Sequence, residues 1–131
     1  MMGKFKNINI KKITIVIIII LFVVSALFSL NGKDKIAVLE IDGVIKNPKK
    51  YLNSIKEISQ DETIKGLVIR IDSPGGTVGS SQEIHESIFK LSKTKPTVSS
   101  IVDIGASGGY LIATGANYIF ANPGSITGSI G

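Results

Sequence analysis

The chain has 131 residues, 44% hydrophobic and 19% charged, which suits one small folded domain and excludes a disordered polymer. It contains no cysteine, so disulfides, thiolate metal sites and a cysteine nucleophile are excluded. Of the formal charge of +5, four lysines sit in the first twelve residues, which leaves +1 for the rest. That is too little for a basic face that grips nucleic acid.

In chain order, residues 1–12, MMGKFKNINIKK, form a basic segment without an acid. Residues 13–30, ITIVIIIILFVVSALFSL, carry no charge. As a helix they rise about 27 Å at ~1.5 Å per residue, close to the ~30 Å of a hydrocarbon core, which predicts a transmembrane anchor. A cleaved signal peptide is the other reading, but SALFSLNG offers a poor small-x-small site. The preceding lysines keep the N-terminus cytoplasmic. The expectation is a single-pass cell-membrane protein with its folded part outside the cytoplasm.

Residues 31–35 form a polar linker. A strand is predicted over 36–45 and a helix over 47–62, where Tyr51, Leu52, Ile55 and Ile58 recur at helical spacing. GLVIRID, 66–72, reads as a strand buried on both faces, as parallel strands are. Ser80 and Glu83 form a capping box opening a helix that Pro96 stops. Residues 97–104 are a third strand, 106–116 a helix, 117–121 a fourth strand and NPGSITGSIG a turn-rich end. The β-α-β-α-β-α-β order predicts an α/β fold with a largely parallel sheet.

Loops that follow parallel strands gather at one sheet edge, where such folds place their sites. Two glycine-rich loops meet that description: DSPGG after the second strand and GASGG after the third. Gly105-Ala106-Ser107-Gly108-Gly109 matches G-x-S-x-G, a serine on a sharp strand-to-helix turn. A plain turn is the alternative for either loop taken alone. As a nucleophile, Ser107 would find an oxyanion donor in the amide after it, beside a helix N-terminus.

A serine also needs a base. The single histidine, His85, falls mid-helix on an expected solvated face, away from the loop edge, so no Ser-His-Asp triad assembles. A neutral, buried lysine is the recurrent substitute. Lys65 and Lys95 precede strands and so lie at the wrong end of the sheet. Lys90 and Lys93 belong to a polar helix end, and Lys46 stands among solvated lysines.

IRIDSPGGTVGSSQEIHESI, KPTVSSIVDIGASGGYLIATGANYIFANPGSITGSIG and the apolar N-terminal run together resemble the signal peptide peptidase A (protease IV) family, from about residue 36 to the end. The resemblance implies a Clp protease/crotonase-like fold of repeated β-β-α units. It implies membrane-bound serine endopeptidases that cut remnant signal peptides with a Ser-Lys dyad, without cofactor or metal, and that assemble as homo-oligomeric rings. By position, the nucleophile is Ser107, the oxyanion donors are the amides of Gly76 and Gly108, and Ser129 in TGSIG matches a serine near the lysine. Asp72 gains no chemical role. Gly105, Leu111 and Asn117 depart from common residues of the family. The base lysine is matched by no residue here, so 36–131 reads as the N-terminal part of a longer peptidase domain. The alternatives are a nodulation-efficiency-type membrane peptidase, an inactive binding or scaffold module, and a crotonase-like acyl-CoA enzyme, for which an anchor and an exposed serine are odd.

Overall fold

The computed structural model describes residues 10–29 and 33–130, with side chains described for 12–26 and 33–130. The chain divides into two units, the first ending at Lys33 and the second beginning at Asp34. In the first, α1 runs Ile10–Ser29, and its apolar side chains from Ile13 to Val24 are exposed. Among the described residues no helix is long and apolar enough to cross a membrane. The helix expected over 13–30 is therefore present, but its transmembrane character is not supported by the structure. Most of the basic segment, residues 1–9, and the start of the linker, 31–32, lie outside the described residues.

The second unit alternates strand and helix: β1 Lys35–Asp42, α2 Lys49–Gln60, β2 Ile64–Ser73, α3 Val78–Leu91, β3 Thr97–Ala106, α4 Gly108–Ala113, β4 Tyr118–Ala121 and β5 Ile126–Gly128. The strands are parallel and ordered β1-β2-β3-β4, with β5 beside β3 just beyond the β4 pairing. Each crossover to the next strand moves the same way across the sheet, so right-handed connections put α2, α3 and α4 on one face. That face holds the core: Leu39, Ile41, Ile69, Ile71 and Ile101 pack against Tyr51, Ile55, Ile58, Ile84, Ile88 and Ile112.

The other sheet face is open among the described residues. Val38, Val68, Val98 and Tyr118 share one register row across four strands, and Glu40, Arg70, Ser100 and Phe120 share the next. Val38, Tyr118 and Phe120 are more than half exposed. The expectation that 66–72 is buried on both faces is thereby corrected: Val68 is half-buried and Arg70 exposed on the uncovered side.

Three further expectations change. The helix predicted to open at Ser80 begins at Val78 with Thr77 as its N-cap residue. Thr77 is held extended because its N–H donates to the Ile45 carbonyl at 2.9 Å, so a tertiary bond, not the Ser80/Glu83 box, sets the start. The turn-rich end contains β5, a three-residue strand that exists through its pairing with β3. Repeated β-β-α units do not describe these residues: helices separate the strands up to β4, and only β4 and β5 follow each other directly.

Candidate active site

The third strand runs two residues beyond its expected end, so that Ser107 stands directly between β3 and α4. Its backbone takes φ 49° and ψ −120°, a conformation costly for a residue with a Cβ. Two contacts hold it there. The Ser107 N–H donates to the Gly128 carbonyl at 2.7 Å, and the Ser107 carbonyl accepts from Leu111 N–H at 2.9 Å. The first bond shows what β5 does: pairing Ala106 with Gly128, it braces the turn from outside. Ser107 occupies the N-cap position of α4, yet its hydroxyl makes no capping bond. The hydroxyl is thus not used in the capping that a serine there normally performs.

The second loop arrives from β2. Its Ser73 is fully buried. The Ser73 Oγ donates to the Gly43 carbonyl at 2.6 Å and accepts from the Gly75 N–H at 3.1 Å. Gly75 follows with φ 98°, where a side chain would be strained. The Ile45 N–H then donates to the Gly75 carbonyl at 2.9 Å, and Ile45 and Gly76 form an isolated parallel bridge. In this exchange the Gly75 amide is consumed and the Gly76 amide is left without a backbone acceptor among the described residues.

The two loops touch. A Cβ on Gly75 would fall 2.7 Å from Gly108 N and 3.0 Å from Ser107 Cβ, and one on Gly108 would fall 3.4 Å from Gly76 N. Gly108 N–H is the first amide of α4 and so has no partner within the helix. Ser107, Gly76 and Gly108, with Val78, Ser81, Leu111 and Ile130, line a cavity of about 160 Å³. Among the described residues, a hydroxyl without a hydrogen-bond partner and two amides without acceptors line one pocket, an arrangement suited to attack on a carbonyl.

Ser129 lies beside this group: it is exposed, with φ 54°, one residue past the carbonyl that receives the Ser107 amide. Asp72 stays outside the pocket. Its Oδ1 accepts from Ile104 N–H at 3.2 Å, bridging the point between Ile71 and Ser73 where the β2–β3 register slips. Ser73, Ile45 and Ser81 were missed by sequence reasoning. A buried serine directly before Pro-Gly-Gly was the one available signal; the roles of Ile45 and Ser81 depend on contacts between distant segments.

Among the described residues no base accompanies the serine. His85 is half-buried, not on a solvated face as expected. Its Nδ1 lies 2.8 Å from the Leu111 carbonyl, which fixes Nδ1 as a proton donor and commits it to the end of α4. Lys95 donates to the carbonyls of Ile58 at 2.5 Å and Asp61 at 2.6 Å, closing α2 at the opposite end of the sheet. Lys65 pairs with Asp34 at 3.7 Å, and Lys93 lies 3.9 Å from the centroid of the Phe89 ring. Among the described residues no lysine lines the Ser107 cavity. Among the described residues no cluster of His, Cys, Asp or Glu is suited to a metal ion.

A singly wound α/β sheet with a strained serine between strand and helix, and glycine amides opposite it, is an arrangement that serine hydrolases use. Sequence comparison narrows the resemblance: residues 90–131 match the model of peptidase family S49. The chain is 43% identical over 106 residues to the Synechocystis protein slr0021, covering 79% of this chain and 38% of that one. It is 35% identical over 114 residues to the chloroplastic serine protease SPPA of Arabidopsis thaliana, covering 77% and 17%. Protease 4 of Salmonella typhi is 42% identical over 80 residues, covering 60% and 13%. The chain thus spans well under half of each of these relatives. Among solved structures, the 1510-N membrane-bound stomatin-specific protease with a substrate peptide shares the fold, with a TM-score of 0.58 and 23% identity over 76% of this chain and 46% of that one.

Proposed function

We propose that the chain forms the nucleophile-bearing part of a membrane-anchored serine endopeptidase of the signal peptide peptidase A kind. Ser107 Oγ attacks a peptide carbonyl, and the oxygen that becomes negative is received by the N–H groups of Gly76 and Gly108. The Oγ proton passes to a base and then to the departing amine as the C–N bond breaks. Water afterwards releases the acyl group from Ser107. The base is a lysine outside residues 1–131, with Ser129 on its approach. The observation that carries the reading is the approach of the 75–76 loop to Ser107 and Gly108, since neither loop has the chemistry alone.

Val78, Leu111 and Ile130 around the cavity favour extended apolar peptides, and signal-peptide remnants are such peptides. Residues 13–30 anchor the protein in a single pass, N-terminus cytoplasmic; the support is an uncharged run behind four lysines. Copies assemble as a ring, in keeping with the family resemblance.

The test is the full-length protein with Ser107→Ala. Labelling by a serine-directed probe should vanish and cleavage of apolar peptides should fall at least about a thousandfold. Undiminished cleavage rejects the assignment.

A further inference from the structure

We propose that a basic cavity at the carboxyl end of β1 is a subsite of the same cleft, taking a carboxylate carried by the substrate peptide; this rests on the peptidase reading above. The cavity holds about 500 Å³ and is walled by Lys46, Lys49 and Lys50, with Asp42, Val44 and Asn47. None of the three lysines has an acidic partner: among the described residues the one ion pair is Lys65 with Asp34. Lys50 lies over the Tyr51 ring, 4.5 Å from its centroid. Three lysines against one carboxylate give the space a net positive charge that attracts an anion.

The cavity is joined to the candidate active site through the backbone. Lys46 directly follows Ile45, which is bridged to Gly76. The Thr77 N–H donates to the Ile45 carbonyl at 2.9 Å, and the Ser80 hydroxyl donates to the Lys46 carbonyl at 3.2 Å. The segment bearing the lysine is thus the neighbour of the loop that offers the Gly76 amide. Gly108 lies on the other side of that loop. Two spacings of about 4.8 Å separate segment 44–46 from the Gly108 amide, roughly 10 Å in all. An extended peptide covers that distance in about three residues at ~3.3 Å each. A carboxylate three residues from the attacked carbonyl therefore reaches the lysines.

The experiment starts from an apolar peptide that the full-length protein cleaves, with its cut site mapped. Three versions are compared for binding to the Ser107→Ala protein at low salt. One carries a glutamate three residues from the cut and an amidated end, one is neutral and ends there in a free carboxylate, and one is neutral and amidated. A carboxylate version should bind about three- to tenfold more tightly than the neutral one. The advantage should disappear in the K46Q/K49Q/K50Q protein and in ~1 M salt. Whichever acidic version wins tells a side chain from a chain end. Equal binding of all three, or an advantage untouched by the lysine substitutions, overturns the subsite while the peptidase reading stands. If no apolar peptide is cleaved and Ser107 takes no serine-directed probe, both fall together.

Discussion

At Ser107 the chain accepts a backbone angle that most residues avoid, and its neighbours explain how. Gly108 permits no side chain, since a Cβ there would fall 2.2 Å from Ser81 Oγ. Gly76 is tighter still: its Cβ would meet the Ile45 carbonyl oxygen at 1.9 Å. Gly76→Ala should therefore displace the loop, lowering kcat by about 10²–10³ through loss of one oxyanion donor and lowering Tm as well. Gly79→Ala is the control: nothing lies within 4 Å of that position, it sits in α3, and the change should stabilise by about 0.5–1 kcal/mol. Ser73→Ala leaves the Gly75 N–H and the Gly43 carbonyl without their shared hydroxyl, at a cost of about 1–3 kcal/mol. Because the freed Gly75 amide competes to reorient the loop, kcat should fall more than KM rises. Denaturant unfolding and steady-state kinetics check these three variants.

At the scale of elements, ends were set by contacts and interiors by pattern. The interior of α2 follows its apolar spacing, Tyr51, Ile55 and Ile58 all being buried. Its C-terminus is closed by one distant donor, Lys95 on the Ile58 and Asp61 carbonyls, and by the adjacent cap residue Asp61, whose N–H donates to the Glu57 carbonyl and whose Oδ1 accepts from Thr63 N–H at 2.8 Å and from Thr63 Oγ1 at 2.7 Å. The Thr63 hydroxyl and amide hold the Asp61 carboxyl below its ordinary value of 3.8. A depressed folded-state pKa stabilises above the unfolded value and is lost as pH falls through the folded one. Asp61→Asn should therefore be less stable than the wild type at pH 7, and the gap should close as pH drops below 3.8. Urea midpoints across that range measure it. The start of α3 was misread because a Ser-x-x-Glu pattern is local, whereas the Thr77 amide that decides the matter binds Ile45, far back in the chain.

For the whole molecule, the sheet carries one well-packed face and one that is open among the described residues. Ile71 is fully buried on the packed side, at the strand end that leads into Ser73. Ile71→Ala should cost about 2–5 kcal/mol, and the same cut at Val38, more than half exposed, far less; thermal denaturation of the two separates the faces. The parallel topology itself was legible because strand and helix periodicities alternate cleanly along the chain and one rule of handedness orders them. The open face was not: GLVIRID is apolar enough to be covered twice, and coverage depends on what packs there, which the run does not encode.

The sequence by itself determined the elements up to β4, the parallel sheet and the placing of two glycine loops and one serine at one edge, because composition and spacing act over a few residues at a time. Tertiary structure decided which amides remain free. The Ser73 hydroxyl, held on the Gly43 carbonyl, takes the Gly75 N–H, Ile45 bridges the loop and β5 braces Ser107, and the bonds to Gly43, Ile45 and Gly128 join segments that only folding brings within 3 Å or so of one another.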